Sequence, residues 1–356
     1  MKNIENLTKS LIEFPSTKEN VQARKDIVLF VREQFKECDV FVDEFDYNDD
    51  PSIIITLKKE KNPFLFLNGH LDVVPACSEN DFIPYVKDGK IYGRGSGDMK
   101  AACAVMIEAM KYFSKQKNRP SVGLMLTTDE ESGGENGVGY LINNQKYSST
   151  VALIPDGGIN LNTVVLNEKG VIRLRIKSFG KAAHSARPFF GKNAIDELIQ
   201  KYLKLRQFIP EIKQHEWKNS LNLSIISGGD IANKVPDYAE AIVDIRFIDK
   251  KERDLILQEI GKITKDTEIF MKSAPFVQDK NSIYIRQYQD ILKQELANKE
   301  ISFLNSEGSS DAMYFSENNI PTVITKINCD NIHSNDEWVD IGEMEVFYRV
   351  LMKFIK

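Results

Sequence analysis

Three times before residue 160 a short apolar run ends in acids or a histidine and then, or just before, turns on glycine. Phe64 to Leu67 passes through Asn68-Gly69 to His70 and Asp72. Ser121 to Thr128 leads to Glu130, Glu131 and a Gly-Gly turn, and Ala152 to Pro155 delivers Asp156 into PDGG. Apolar runs of this length read as strands buried on both faces, the habit of a mostly parallel sheet flanked by helices. Such α/β sheets gather their ligands beyond the carboxyl ends of the strands, where these polar residues fall. Side chains of an extended segment alternate, so His70 and Asp72 point the same way, and the carboxylate is placed to hold the imidazole tautomer.

Each motif alone has a plainer explanation. H-x-D fits a structural histidine bonded to a nearby acid, and adjacent glutamates on a loop are usually solvated. Asp98 follows a glycine-rich run, Gly89 to Gly97, and precedes a helical segment with small residues Ala101, Ala102 and Ala104. It fits an N-cap as well as a ligand. The glycine run has neither G-x-G-x-x-G nor P-loop spacing, so it is no nucleotide loop.

A chain of 356 residues exceeds what one core usually holds, which points to two domains. The net charge of −5, with no one-sided Lys/Arg block, argues against nucleic acid and for small-molecule ligands. The amino terminus is charged and amphipathic, unlike a signal peptide, and no apolar run approaches the roughly 18 residues of a membrane span. Cys38, Cys77, Cys103 and Cys329 form no CxxC pair, which suits a reducing cytoplasm; Cys329 alone lies near a candidate ligand, His333.

Residues 4 to 36 carry helical spacing, with Asn20 or Ser16 placed to start a second helix, and strands follow at Val40 to Phe45 and Ile53 to Leu57. From about residue 168 the pattern changes. Val171 to Phe179 alternates, Asn193 to Phe208 is an amphipathic helix, Leu221 to Ser227 and Tyr238 to Phe247 are strands, and Lys251 to Lys265 is a helix before a strand at Thr267 to Met271. This β-α-β-β-α-β order predicts an inserted α+β domain with an antiparallel sheet over residues 169–274, inside a discontinuous domain of residues 1–168 and 275–356. The last part reads as a helix near Ile283 to Ala297, strands at Ile301 to Leu304 and Thr322 to Thr325, a loop at SEGSSDAMYF, the HSNDEWV loop, and a helix from Gly342.

His70, His333, Asp98, Glu131 and Asp156 make a hard nitrogen and oxygen set that suits a pair of zinc ions with one carboxylate bridging. Glu130 is left over, a carboxylate free to take a proton from water and pass it to a leaving group. His215, in IKQHEWKN, lacks such a setting and reads as a surface residue.

In order, GHLDVVP, GRGSGDMK, TTDEESGG, PDGG, AHSARPFFGKNAI, GGDIANKVPDYAEAIVDIR and EGSSDAMYF, followed by His333, resemble the metallopeptidase family of acetylornithine deacetylase, succinyl-diaminopimelate desuccinylase, aminoacylase-1 and carboxypeptidase G. The resemblance spans nearly the whole chain. It implies two zinc ions, with Co2+ or Mn2+ able to substitute: His70 and Asp156 on one, Glu131 and His333 on the other, Asp98 bridging through a cis peptide to Met99. It further implies that Asp72 orients His70, that Glu130 is the general base, and that His184 polarises the scissile carbonyl, often from a partner subunit. Asn233, Arg246, Gly308 and Ser309 fall on substrate-contacting positions, although Glu307 stands where the family usually has a glycine. The implied protein is a cytoplasmic homodimer, joined through the inserted lid domain, that cleaves a small N-acyl amino acid. Aspartate at position 156 resembles the peptidase branch instead, so a di- or tripeptidase is the alternative. A metal-binding homologue that has lost catalysis is a third reading.

Overall fold

A computed structural model describes residues 1–214 and 216–356; the expectation for His215 lies outside the described residues. The chain divides into two compact units: residues 1–166, 278–306 and 310–356, and residues 167–277 with 307–309.

The first unit is built on a mixed sheet in the order Phe41–Tyr47, Asp50–Thr56, Val122–Thr127, Leu65–His70, Val151–Ile154, Thr322–Ile324, Thr163–Glu168, the last of these strands ending in the second unit. The central four strands run parallel, and the pairings toward the edges are antiparallel. VGLMLT and LFLNGH are buried at every position, as expected of strands covered on both faces. One edge strand, Phe41–Tyr47, is mostly exposed and carries Asp43, Glu44 and Asp46. Charges there discourage pairing with another chain.

Helices Lys2–Ile12, Val21–Glu33, Ala101–Ser114, Ile283–Glu295 and Ile341–Phe354 contribute to one large apolar core with these strands. Asn20 caps the second helix by accepting from Ala23 N, and Asp340 caps the last by accepting from Glu343 N. Helix Ala101–Ser114 lies very close to the strand before His70: a Cβ on Gly69 would meet Cys103 Sγ and Met106 Cε at 2.9 Å. Glycine at 69 thus lets a buried helix back the strand that delivers the histidine.

A small antiparallel sheet, ordered Cys329–Asp330, Trp338–Asp340, Lys90–Tyr92, Tyr85–Lys87, has no counterpart in the sequence expectations. It ties the loop carrying His333 to the glycine run before Asp98 through Trp338↔Tyr92 and Val339↔Ile91. The stretch SEGSSDAMYF, expected as loop, ends inside the helix Ala312–Glu317.

In the second unit a four-stranded antiparallel sheet runs Ser220–Gly228, Tyr238–Phe247, Gly170–Phe179, Thr267–Ser273. Burial alternates along Gly170–Phe179 and Tyr238–Phe247. Ile172, Leu174, Ile176, Val243 and Ile245 pack with Leu198 and Leu205 of helix Ala194–Phe208 and Ile256 of helix Lys250–Ile263. Asn193 and Asp249 cap these helices with their side-chain oxygens.

Candidate metal centre

The five residues expected as ligands converge in the first unit together with Glu130, expected as the base, as two clusters: His70, Glu130 and Asp156, and Asp98, Glu131 and His333, each with ligand atoms within 4.8 Å of one another. Asp98 faces both imidazoles. Its Oδ1 lies 3.2 Å from His70 Nε2 and its Oδ2 lies 3.4 Å from His333 Nε2. Asp156 Oδ2 is 3.8 Å from His70 Nε2, and Glu131 Oε1 is 3.2 Å from His333 Nε2. Imidazole nitrogens and carboxylate oxygens at these spacings could hold divalent metal.

Local backbone geometry explains each placement. His70 ends its strand, beside Thr127 of the neighbouring one. Asp98 is not a helix cap: its backbone is extended (φ −133°, ψ 90°), its peptide to Met99 is cis, and the helix begins at Ala101. Gly133 and Gly134 take φ of 111° and 68°, closing the turn behind Glu130 and Glu131 in a region open to glycine. His333 is itself left-handed, at φ 61°, in the loop between Cys329–Asp330 and Trp338–Asp340.

Asp72 meets His70 through its backbone as well as its side chain. The closest acceptor for His70 Nδ1 is the Asp72 backbone carbonyl, at 3.0 Å, whereas its carboxylate Oδ1 lies 3.4 Å away. With Nδ1 donating to that carbonyl, Nε2 is the free ligand nitrogen. The carboxylate accepts from Glu130 N at 3.3 Å and Glu131 N at 3.0 Å. Asp72 therefore joins the imidazole to the turn that carries both glutamates.

Glu337, absent from the expected set, plays a similar part for Asp98. Its carboxylate accepts from Gly95 N, Gly97 N and Asp98 N at 2.8 to 3.1 Å and pairs with the buried guanidinium of Arg94 at 2.8 Å. Its signal in the sequence was slight: an acid beside Trp338, in the same loop as His333. Asp129 is a second such residue, accepting from Asn136 N and Gly137 N to close the Gly-Gly turn.

The electrostatics are those of a site built for cations. Burial works against charging His70, yet Asp72, Asp98 and Glu130 outweigh it and hold its pKa well above the ordinary imidazole value. Asp98 and Glu131 hold His333 up at about 10. Burial, reinforced by Asp156, Asp311 and Glu131, raises Glu130 well above the ordinary carboxyl range although His70 opposes it.

His184, Asn233, Arg246, Gly308 and Ser309 belong to the second unit. His184 pairs with Lys234 across two short strands, and Ser185 N donates to Asn233 O at 2.9 Å. Ala186 N donates to His184 Nδ1 at 3.1 Å, which leaves the proton of a neutral ring on Nε2. Arg246 binds Asp244 Oδ1 at 2.7 Å, and Arg173 binds Oδ2 of the same carboxylate at 2.6 Å.

A mixed α/β sheet with two histidine and carboxylate clusters at its strand ends is the arrangement of a metallohydrolase. Residues 66–356 match the sequence profile of peptidase family M20/M25/M40, and the chain belongs to that family of metal-dependent hydrolases of amide and peptide bonds. A probable succinyl-diaminopimelate desuccinylase of Staphylococcus aureus (strain N315) is 27% identical over 96% of this chain and 98% of its own. The succinyl-diaminopimelate desuccinylase of Sulfurovum sp. (strain NBC37-1) is 25% identical over 86% of each. Among solved structures, a tripeptidase of Staphylococcus aureus subsp. aureus Mu50 shares the fold with a TM-score of 0.83 at 21% identity, over 100% of this chain and 97% of that one. The family resemblance carried by the motifs therefore holds. Among the described residues no helix is long and apolar enough to cross a membrane.

Proposed function

We propose that this chain is a di-zinc amide hydrolase, cytoplasmic and dimeric, that removes the acyl group from a small N-acyl amino acid. The observation behind this reading is Asp98, whose two oxygens face one imidazole each. With Asp98 shared, His70 and Asp156 would hold one position and Glu131 and His333 the other, and Glu130, which lies beside His70 and Asp156, would be kept as the base. Bound zinc would supply a polarised water and an electrophile for the substrate carbonyl.

The chain's own residues supply the rest. Glu130, half-buried beside other acids, takes the proton from the attacking water and delivers it to the leaving nitrogen. His184 presents Nε2–H as a donor to the developing oxyanion. Arg246 meets the substrate α-carboxylate with a bidentate grip once it exchanges Asp244 for that ligand, while Asn233, Gly308 and Ser309 fix the remaining polar groups. Residues 169–274 serve as the lid and the dimer-forming part.

The desuccinylase names of the relatives favour a deacylase. Aspartate at position 156 and the likeness to a tripeptidase favour a di- or tripeptidase as the second reading. A hydrolysis screen of zinc-loaded protein against N-acetyl and N-succinyl amino acids, dipeptides and tripeptides separates them. Turnover of acyl amino acids above that of all peptides is expected; the reverse order would assign the peptidase reading, and turnover of none would remove the enzyme.

A further inference from the structure

Tyr314 has no part in the chemistry above, yet it holds the turn on which that chemistry depends. Its hydroxyl donates to the Gly133 carbonyl at 2.6 Å. Gly133 N donates in turn to the Glu130 carbonyl at 2.7 Å, and Gly134 N donates to the Asp129 carbonyl at 2.9 Å. The phenol is therefore one bonded step from the backbone of Glu130.

Two glycines leave room for this close approach. A Cβ on Gly134 would meet Tyr314 Cε2 at 3.0 Å, and a Cβ on Gly139 would meet Cε1 at 2.8 Å. Gly139 N also donates to the Gly134 carbonyl at 2.8 Å, so the ring lies against backbone that is already closed on itself. The helix that carries the ring, Ala312–Glu317, is anchored by Ala312 and Phe315, both fully buried. Asp72 grips the start of the same turn through the amides of Glu130 and Glu131. Tyr314 grips its end through a carbonyl, from 181 positions further along the chain.

We infer that Tyr314 is a positioning residue that keeps Glu130 aligned for proton transfer by pinning the Gly133 carbonyl. Two successive glycines make the end of this turn the easiest part of it to distort, and a tether there removes that freedom. A catalytic group displaced by about an ångström loses much of its effect. Because Glu130 works on the attacking water and the leaving nitrogen, loss of its alignment lowers kcat and leaves KM unchanged.

The inference rests on the reading of Glu130 as the base, and a double-mutant cycle keeps the two apart. Zinc-loaded wild type, Y314F, Y314M, E130Q and E130Q/Y314F are compared by steady-state kinetics and zinc content, with the substrate turned over fastest in the screen above. Y314F is expected to lower kcat roughly tenfold, with KM and zinc content as in wild type. Y314M, which removes the ring as well, is expected to lower kcat at least as far. In the E130Q background Y314F is expected to change kcat by less than about twofold, because no base is left to align. Near wild-type kcat in E130Q, or no turnover in wild type, overturns the reading of Glu130 and this inference with it. With E130Q impaired, an unchanged kcat in Y314F overturns the inference alone. An equal loss in both backgrounds does the same, since a merely structural role would give it. A fall in zinc content that matches the fall in kcat would place the effect at Glu131 and overturn it too. Failure of both Y314F and Y314M to fold would assign Tyr314 to the scaffold and overturn it as well.

Discussion

In the first unit His70 and the acids of the centre are largely buried while His333 is exposed, and acids are fixed by backbone amides, Asp72 by two and Glu337 by three. In the second unit the charged face of the sheet is partly exposed, and its residues pair with one another: Arg173 and Arg246 share Asp244, and Arg175 and Lys177 share Glu268. Carboxylates gripped by amides keep their geometry when a neighbour changes. An arginine held only by a half-buried aspartate can exchange that partner for a ligand carboxylate at little cost, because surface ion pairs contribute about 0 to 1 kcal/mol. On the proposed function, the metal and the base belong to the amide-anchored unit, and His184 with the carboxylate grip belongs to the ion-paired one.

The sharpest way to break that contrast is Glu130→Gln, which keeps size and removes the base. Zinc content and substrate affinity should persist while kcat falls by roughly 10²-fold or more. Near wild-type turnover by steady-state kinetics would take Glu130 out of the mechanism. His184→Ala should lower kcat by about 10²-fold without loss of zinc, since its donor acts on the oxyanion rather than on the metal.

On the recognition side, esterifying or amidating the substrate α-carboxylate should lower kcat/KM by on the order of 10². Arg246→Ala should abolish most of that discrimination. Comparable kcat/KM for acid and amide forms in wild type would return Arg246 to the ion-pair ladder and favour a peptidase of longer chains. Rigidity of the centre is tested by Glu337→Ala, which leaves the Arg94 guanidinium buried and unpaired and should cost about 3 to 5 kcal/mol in urea unfolding. Asn193→Ala, which removes a helix cap in the second unit, should cost only about 1 kcal/mol.

Much of the first unit was legible because strands buried on both faces write themselves as unbroken apolar runs, and their ends place His70, Glu130, Glu131 and Asp156. The second unit was legible from alternation, which needs only one buried face. What escaped depends on contacts remote in sequence. Glu337 acquires its role from amides some 240 positions away, and no local pattern reports that. The small sheet joining Lys90–Tyr92 to Trp338–Asp340 uses strands of three residues, too short for a period to register. Asp72 could be placed on the correct side of its strand, but whether its carbonyl or its carboxylate would meet His70 depends on where the Glu130 turn falls.

The account turns on Asp98 serving both cation positions, and zinc stoichiometry tests this most directly. Asp98→Ala and Glu131→Ala proteins, purified with equal zinc and analysed by inductively coupled plasma mass spectrometry, should differ. Loss of the shared carboxylate should deplete both positions, and loss of Glu131 should mainly empty one. An Asp98→Ala protein that retains the zinc content of wild type would contradict the bridging role and the two-position centre built on it.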